Sequence, residues 1–187
     1  MMLKQKYPNK FVDLSRLFVY YNTRFQDGTI NTDSGAYIRD TIKATTINGL
    51  CTEKLWPYVQ ENFTVKPTEE CYADAKTRNI KDYKKITKIE HMMDALNNNI
   101  PVVFGMPIYP GFYYVDKRNP VIRVPYTLEP SLGGHAMVLV GYDKTKEMFI
   151  AKNSFGIDWG EDGYCYIPFE YARISFYDCW VFDIVLN

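Results

Sequence analysis

Apolar positions repeat with one period in the first half of this chain and another in the second, and the change falls near residue 100. Ahead of it the spacing is helical. A helix is predicted through residues 16–21 behind Asp13 or Ser15, either of which can satisfy the open amide groups at its start. In residues 34–48, Tyr37, Ile38, Ile42 and Thr45 recur at helical spacing, with Asp33 as the expected cap and Gly49 as the stop. Residues 59–78 are mostly polar. Within them Pro67-Thr68-Glu69-Glu70 reads as a helix entry leading through Cys71, Tyr72 and Ala75, and further on Thr87 with Glu90 forms a capping-box pattern ahead of residues 91–96. Met92 and Met93 read as core filler there, and His91 as an ordinary helical histidine, because no ligand partner sits at metal spacing.

From residue 100 the period becomes that of strands. Residues 100–109 form a continuous apolar run of the kind buried on both faces of a sheet. A long proline-rich connection, residues 110–130, reads either as a loop framing a site or as a surface excursion packed by Phe112, Tyr113 and Tyr114. Strands are expected over 136–143, 148–152, 163–168 and 179–186, with a helical turn at 168–171. The predicted class is α+β, with a helical lobe in residues 1–99 and an antiparallel, barrel-like sheet lobe in residues 100–187.

Composition agrees with a folded body. The 187 residues are 47% hydrophobic, enough for a real core. Lysine plus arginine equals aspartate plus glutamate at 22 each, so no global field favours nucleic acid or an anionic membrane as a partner. No run of apolar residues is long enough for a membrane span and no signal-peptide pattern opens the chain. Four scattered cysteines make no disulfide framework, and a reducing location, cytoplasmic or within a virus particle, is the expectation. No metal or cofactor is implied.

Candidate chemistry concentrates in residues 133–164. Gly133-Gly134-His135-Ala136 opens one apolar strand, and Phe149-Ile150-Ala151-Lys152-Asn153-Ser154-Phe155-Gly156 carries an asparagine at the end of the next. Two antiparallel neighbours would bring imidazole and carboxamide together, and an oriented histidine is a general base for a nucleophile. Trp159-Gly160-Glu161-Asp162-Gly163-Tyr164 follows, with Trp159 read as structural and its glycines as turn formers.

In that order of motifs the chain resembles the papain-like cysteine peptidases. Residues 14–24, 35–40 and 49–58 are similar to segments of the family's bacterial and viral branch. The resemblance implies a two-lobe fold in which His135 deprotonates a cysteine and Asn153 holds the imidazole in its working orientation. Gly134 would keep the approach to His135 clear of side-chain bulk. Phe155 stands where the family motif has tryptophan, which covers the histidine–asparagine hydrogen bond.

The family's Gln-x-x-x-x-x-Cys segment, with the nucleophile and the oxyanion-hole glutamine, has no counterpart here, so the chain reads as a papain-like enzyme shortened at its amino end. Three functions fit. The chain is the major piece of a peptidase acting on peptides or proteins, completed by an amino-terminal segment or a protein partner. Alternatively it is a catalytically inactive papain-like binding or structural protein, for instance a virion component. In the third, Cys51 or another thiol acts in a rearranged site, against the plainer reading of each cysteine as a buried or partly buried thiol.

Overall fold

The computed structural model describes residues 2–186. Six α-helices, α1 (Met2–Lys6), α2 (Arg16–Gln26), α3 (Ile38–Asn48), α4 (Glu69–Ala75), α5 (Ile89–Asn97) and α6 (Phe169–Ser175), accompany six strands. These are β1 (Arg78–Lys85), β2 (Val102–Ile108), β3 (Gly133–Asp143), β4 (Met148–Lys152), β5 (Tyr164–Pro168) and β6 (Tyr177–Leu186), in the order β1-β6-β2-β3-β4-β5. The chain divides into two compact units, residues 1–84 with 182–187, and residues 85–181. The α+β class expected from the sequence is the one the chain adopts.

In the first unit, capping decides where helices begin. Ser15 Oγ accepts the Phe18 amide at 3.0 Å, so Ser15 rather than Asp13 starts α2. Asp33 does not cap α3, which begins four residues beyond Ser34 with Tyr37 at its boundary. The Asp33 carboxylate is engaged by the Tyr20 hydroxyl, and Gly35, at φ 73°, turns the chain away from a helical path. Gly49 ends α3 as expected: its φ is 77°, its amide donates to the Thr45 carbonyl at 2.8 Å, and a Cβ there would sit 2.1 Å from the Ala75 oxygen. Phe18, Cys51, Cys71 and Ala75 form this unit's small core. Beside it Arg24 is wholly buried without a carboxylate; its guanidinium donates to the carbonyls of Ile30, Thr32 and Phe63 and lies over the Tyr20 and Phe63 rings.

The second unit is built on antiparallel pairing. In β2 and β3, Val102 opposes Leu139 and Met106 opposes His135; in β3 and β4, Leu139 opposes Ala151. The inward faces continue across the sheet as Phe104 and Met106, Met137 and Leu139, Phe149 and Ala151, Cys165 and Ile167, all buried. Each of the Phe, Met, Leu and Ile side chains among them stabilises the fold by about 1.5–3 kcal/mol. The Thr87–Glu90 capping box does not form: α5 starts at Lys88 without a side-chain cap. His91 is exposed and Met92 buried, as the sequence suggested.

The β2–β3 connection, residues 109–132, is anchored rather than free. Phe112, Val115 and Ile122 are buried in the core, and the Ile122 amide and Pro120 carbonyl pair with Tyr166 of β5. That pairing makes a parallel bridge at Val121 along the terminal strand of the sheet.

Gly49→Ala should cost at least ~2 kcal/mol, because a left-handed φ and a backbone clash act together. A chemical denaturation midpoint that fails to fall would remove this account of the α3 stop.

Candidate active site

His135 is the third residue of β3, three positions after the long connection closes at Leu132, whose N–H donates to the Ile108 carbonyl at 2.8 Å. Counting along the strand in twos, His135, Met137 and Leu139 share the core-facing side, and Phe149, Ala151 and Asn153 do the same at β4. Because the strands run in opposite directions, the start of β3 and the end of β4 lie at one end of the sheet. There the apolar rows finish in a polar pair, with His135 Nε2 and Asn153 Oδ1 at 2.8 Å.

The direction of that hydrogen bond follows from a neighbour. The Ser154 backbone N–H, which can only donate, lies 2.8 Å from the same Asn153 Oδ1. The oxygen is therefore the acceptor of both bonds, and His135 must carry its proton on Nε2. In the neutral ring, Nδ1 then holds the lone pair. Asn153 is only 7% exposed, and its Nδ2 is buried with no hydrogen-bond partner among the described residues. Burial strengthens the bond by excluding competing water.

The turn after Asn153 is fixed by its own backbone. Asn153 N–H donates to the Gly163 carbonyl at 3.0 Å, and Gly163 N–H to Trp159 at 2.9 Å. Gly160 has φ 60°, and a Cβ there would lie 2.3 Å from the Tyr164 oxygen. This agrees with a turn-forming role for the glycines around Trp159. The Phe155 ring lies 5.1 Å from the imidazole, though it remains 53% exposed, and Trp159 packs edge-on against it at 5.9 Å.

Two residues acquire roles the sequence did not disclose. Phe112, considered only as loop packing, is 2% exposed and sets its ring 5.4 Å from the His135 imidazole and 5.4 Å from Trp159. Nothing in the local sequence separates it from Tyr113 and Tyr114, which are 65% and 74% exposed. Tyr177 corrects the reading of Gly134. A Cβ on Gly134 would fall 2.6 Å from the Tyr177 hydroxyl, so the glycine makes room for that ring rather than simply clearing an approach to His135.

All four cysteines are buried. Burial pushes the Cys51, Cys165 and Cys179 thiols up to about 12, and Cys51 donates to the Thr52 carbonyl from within the small core of the first unit. Among the described residues no cluster of three or more His, Cys, Asp or Glu is arranged to hold a metal, and no helix is long and apolar enough to cross a membrane.

Fold and motif order together define an α+β chain of the cysteine peptidase type. Residues 18–177 match the papain family cysteine protease pattern, and the chain belongs to that family. It is 37% identical over 180 residues to an uncharacterised peptidase C1-like protein of Acanthamoeba polyphaga mimivirus, covering 91% of this chain and 58% of that protein. To the cathepsin B-like CP2 of Giardia intestinalis it is 30% identical over 142 residues, 70% of this chain and 45% of that one. Xylellain, a cysteine protease from Xylella fastidiosa, superposes with a TM-score of 0.90 at 34% identity, over 97% of this chain and 74% of that chain. The chain thus spans about half the length of the curated relatives it matches.

Replacing Asn153 by alanine should release the tautomer. Nitrogen shifts of the His135 ring should move from a fixed Nε2–H form to a mixture, and unchanged shifts would show that something else holds the proton.

Proposed function

We propose that the chain is the larger part of a papain-like cysteine peptidase, with His135 as general base and acid, Asn153 as its orienter, and the sulfur nucleophile outside residues 1–187. The observation that carries this reading is the His135–Asn153 hydrogen bond, whose direction leaves Nδ1 as the basic nitrogen. A thiol is a weak nucleophile until its proton is taken, and imidazole titrates in the range where that transfer is easy. Nδ1 would accept the thiol proton as the sulfur attacks the scissile carbonyl carbon. It would return that proton to the leaving amine as the C–N bond breaks, giving a thioester. Water, losing a proton to the same nitrogen, would then release the carboxylate product and the thiol. Throughout, Asn153 would hold the ring so that the proton stays on Nε2.

The cysteines of the chain support placing the nucleophile elsewhere. A thiol raised to about 12 ionises too little near neutrality to attack, and Cys51, the candidate for a rearranged site, is 0% exposed. The same fact supports a second reading, a papain-like binding or structural module, for instance in a virus particle, that performs no hydrolysis. Under either reading the chain would engage a complementary segment or protein partner.

Two measurements separate these readings. Iodoacetamide at neutral pH should alkylate the native chain's cysteines at less than about a hundredth of the rate of free cysteine. Fusing ahead of residue 1 a segment with the family's Gln-x-x-x-x-x-Cys pattern should then give an epoxide adduct on the added cysteine and hydrolysis of a fluorogenic peptide. His135→Ala in that fusion should lower kcat by ~10²–10⁴. A folded fusion with neither adduct nor turnover would favour the binding module.

A further inference from the structure

The β2–β3 connection carries a side-chain clamp that the site does not itself account for. Arg123 forks onto Glu129: Nη1 donates to Oε2 at 2.8 Å and Nη2 to Oε1, a bidentate pair. Nη1 also donates to the Val124 carbonyl at 3.2 Å, and the Tyr126 amide donates to Glu129 Oε2 at 3.0 Å. The Tyr126 ring lies 4.2 Å from the guanidinium carbon. The Glu129 side chain is 9% exposed and that of Arg123 36%, so the carboxylate is largely withdrawn from water. Its hydrogen bonds from Arg123 hold its carboxyl below the usual carboxylate range.

The clamp is coupled to His135 through consecutive residues. The Arg123 stem fills the space over Gly111, where a Cβ would lie 2.9 Å from Arg123 Cγ and Nε. The next residue is Phe112, whose buried ring meets the His135 imidazole nearly edge-on, at 65° and 5.4 Å. On its other sides Phe112 touches Phe155 at 6.1 Å and Trp159 at 5.4 Å, so one ring contacts the histidine and both aromatic residues of the Asn153 turn. At the far end of the same connection, Ser131 Oγ and the Leu132 amide tie into Ile108 just before Gly133 and His135. The pair therefore abuts the residue before the ring that rests on the imidazole, and Glu129 lies two residues before the segment that leads into His135.

We propose that Arg123 and Glu129 form a positioning pair for His135, acting through Gly111 and Phe112 to keep the imidazole seated on Asn153 and its Nε2 proton shielded from water. The inference deepens the peptidase reading, because a fixed imidazole matters most to a group that must accept a proton in one orientation. Neither residue touches the reacting atoms in this scheme. Their effect is on the fraction of time that the histidine–asparagine bond is closed.

The test uses the complete 187-residue chain and needs no nucleophile. With only two histidines in the sequence, uniform nitrogen-15 labelling shows two imidazole rings beside the backbone amides, and His135→Ala assigns them. The exchange of the His135 Nε2 proton with water is measured at one pH beside the backbone amides of Met137 and Leu139. Glu129→Gln should speed that exchange at least ~10-fold while the β3 amides keep their protection. Should Glu129→Gln fail to fold, Arg123→Lys, which keeps a stem over Gly111 and the charge and loses the fork, carries the same measurement. Unchanged exchange would overturn the proposal. So would a rise matched by the β3 amides, which is general loosening. Because proton exchange is read without turnover, failure here leaves the fusion experiment standing, and an inactive fusion leaves this measurement standing.

Discussion

A single backbone amide sets the chemistry of this molecule. The Ser154 N–H can only donate, and its presence against Asn153 Oδ1 decides which end of the carboxamide faces the histidine. From that one constraint follow the tautomer of His135 and the location of its basic nitrogen. The amide in turn is held by the turn between Asn153 and Gly163, which only glycine-rich sequence can close in this space. Chemistry and backbone geometry are therefore the same problem at this end of the sheet.

The sheet itself supplies the rest. His135 and Asn153 are the last members of two inward-facing rows whose earlier members are Met137, Leu139, Phe149 and Ala151. A polar pair at the end of an apolar row stays partly desolvated without being sealed in, and this is the setting that the proposed peptidase role of His135 calls for. Phe112, Phe155 and Trp159 finish the apolar surround from outside the rows.

Much of this was legible in the sequence, for identifiable reasons. Apolar runs separated by a short polar turn located β3 and β4, and the antiparallel order implied the meeting of His135 and Asn153. Gly49 was legible because its stop is local. The failures share a different cause. Asp33 and the Thr87–Glu90 pattern have the composition of caps, but Asp33 is taken by Tyr20 and Thr87 is bypassed when the chain enters α5 at Lys88. Strand β1 went unseen because Lys81, Asp82, Lys84 and Lys85 leave no apolar alternation; its burial is confined to Arg78 and Ile80. Phe112 and Tyr177 meet His135 and Gly134 through contacts distant in sequence, and no periodicity reports those. The extent of α6, Phe169–Ser175, exceeds the short turn expected because Tyr171 and Ala172 find burial against the sheet.

The parallel bridge at Val121 has a meaning for solubility as well. β5 ends the sheet, and an uncovered terminal strand offers a row of amide and carbonyl groups to any passing chain. Pro120 and Ile122 occupy that row at Tyr166, so the outer strand is already paired in part by the chain's own backbone. Peeling this segment away would open a template for strand addition between copies, so the integrity of the connection guards against self-association.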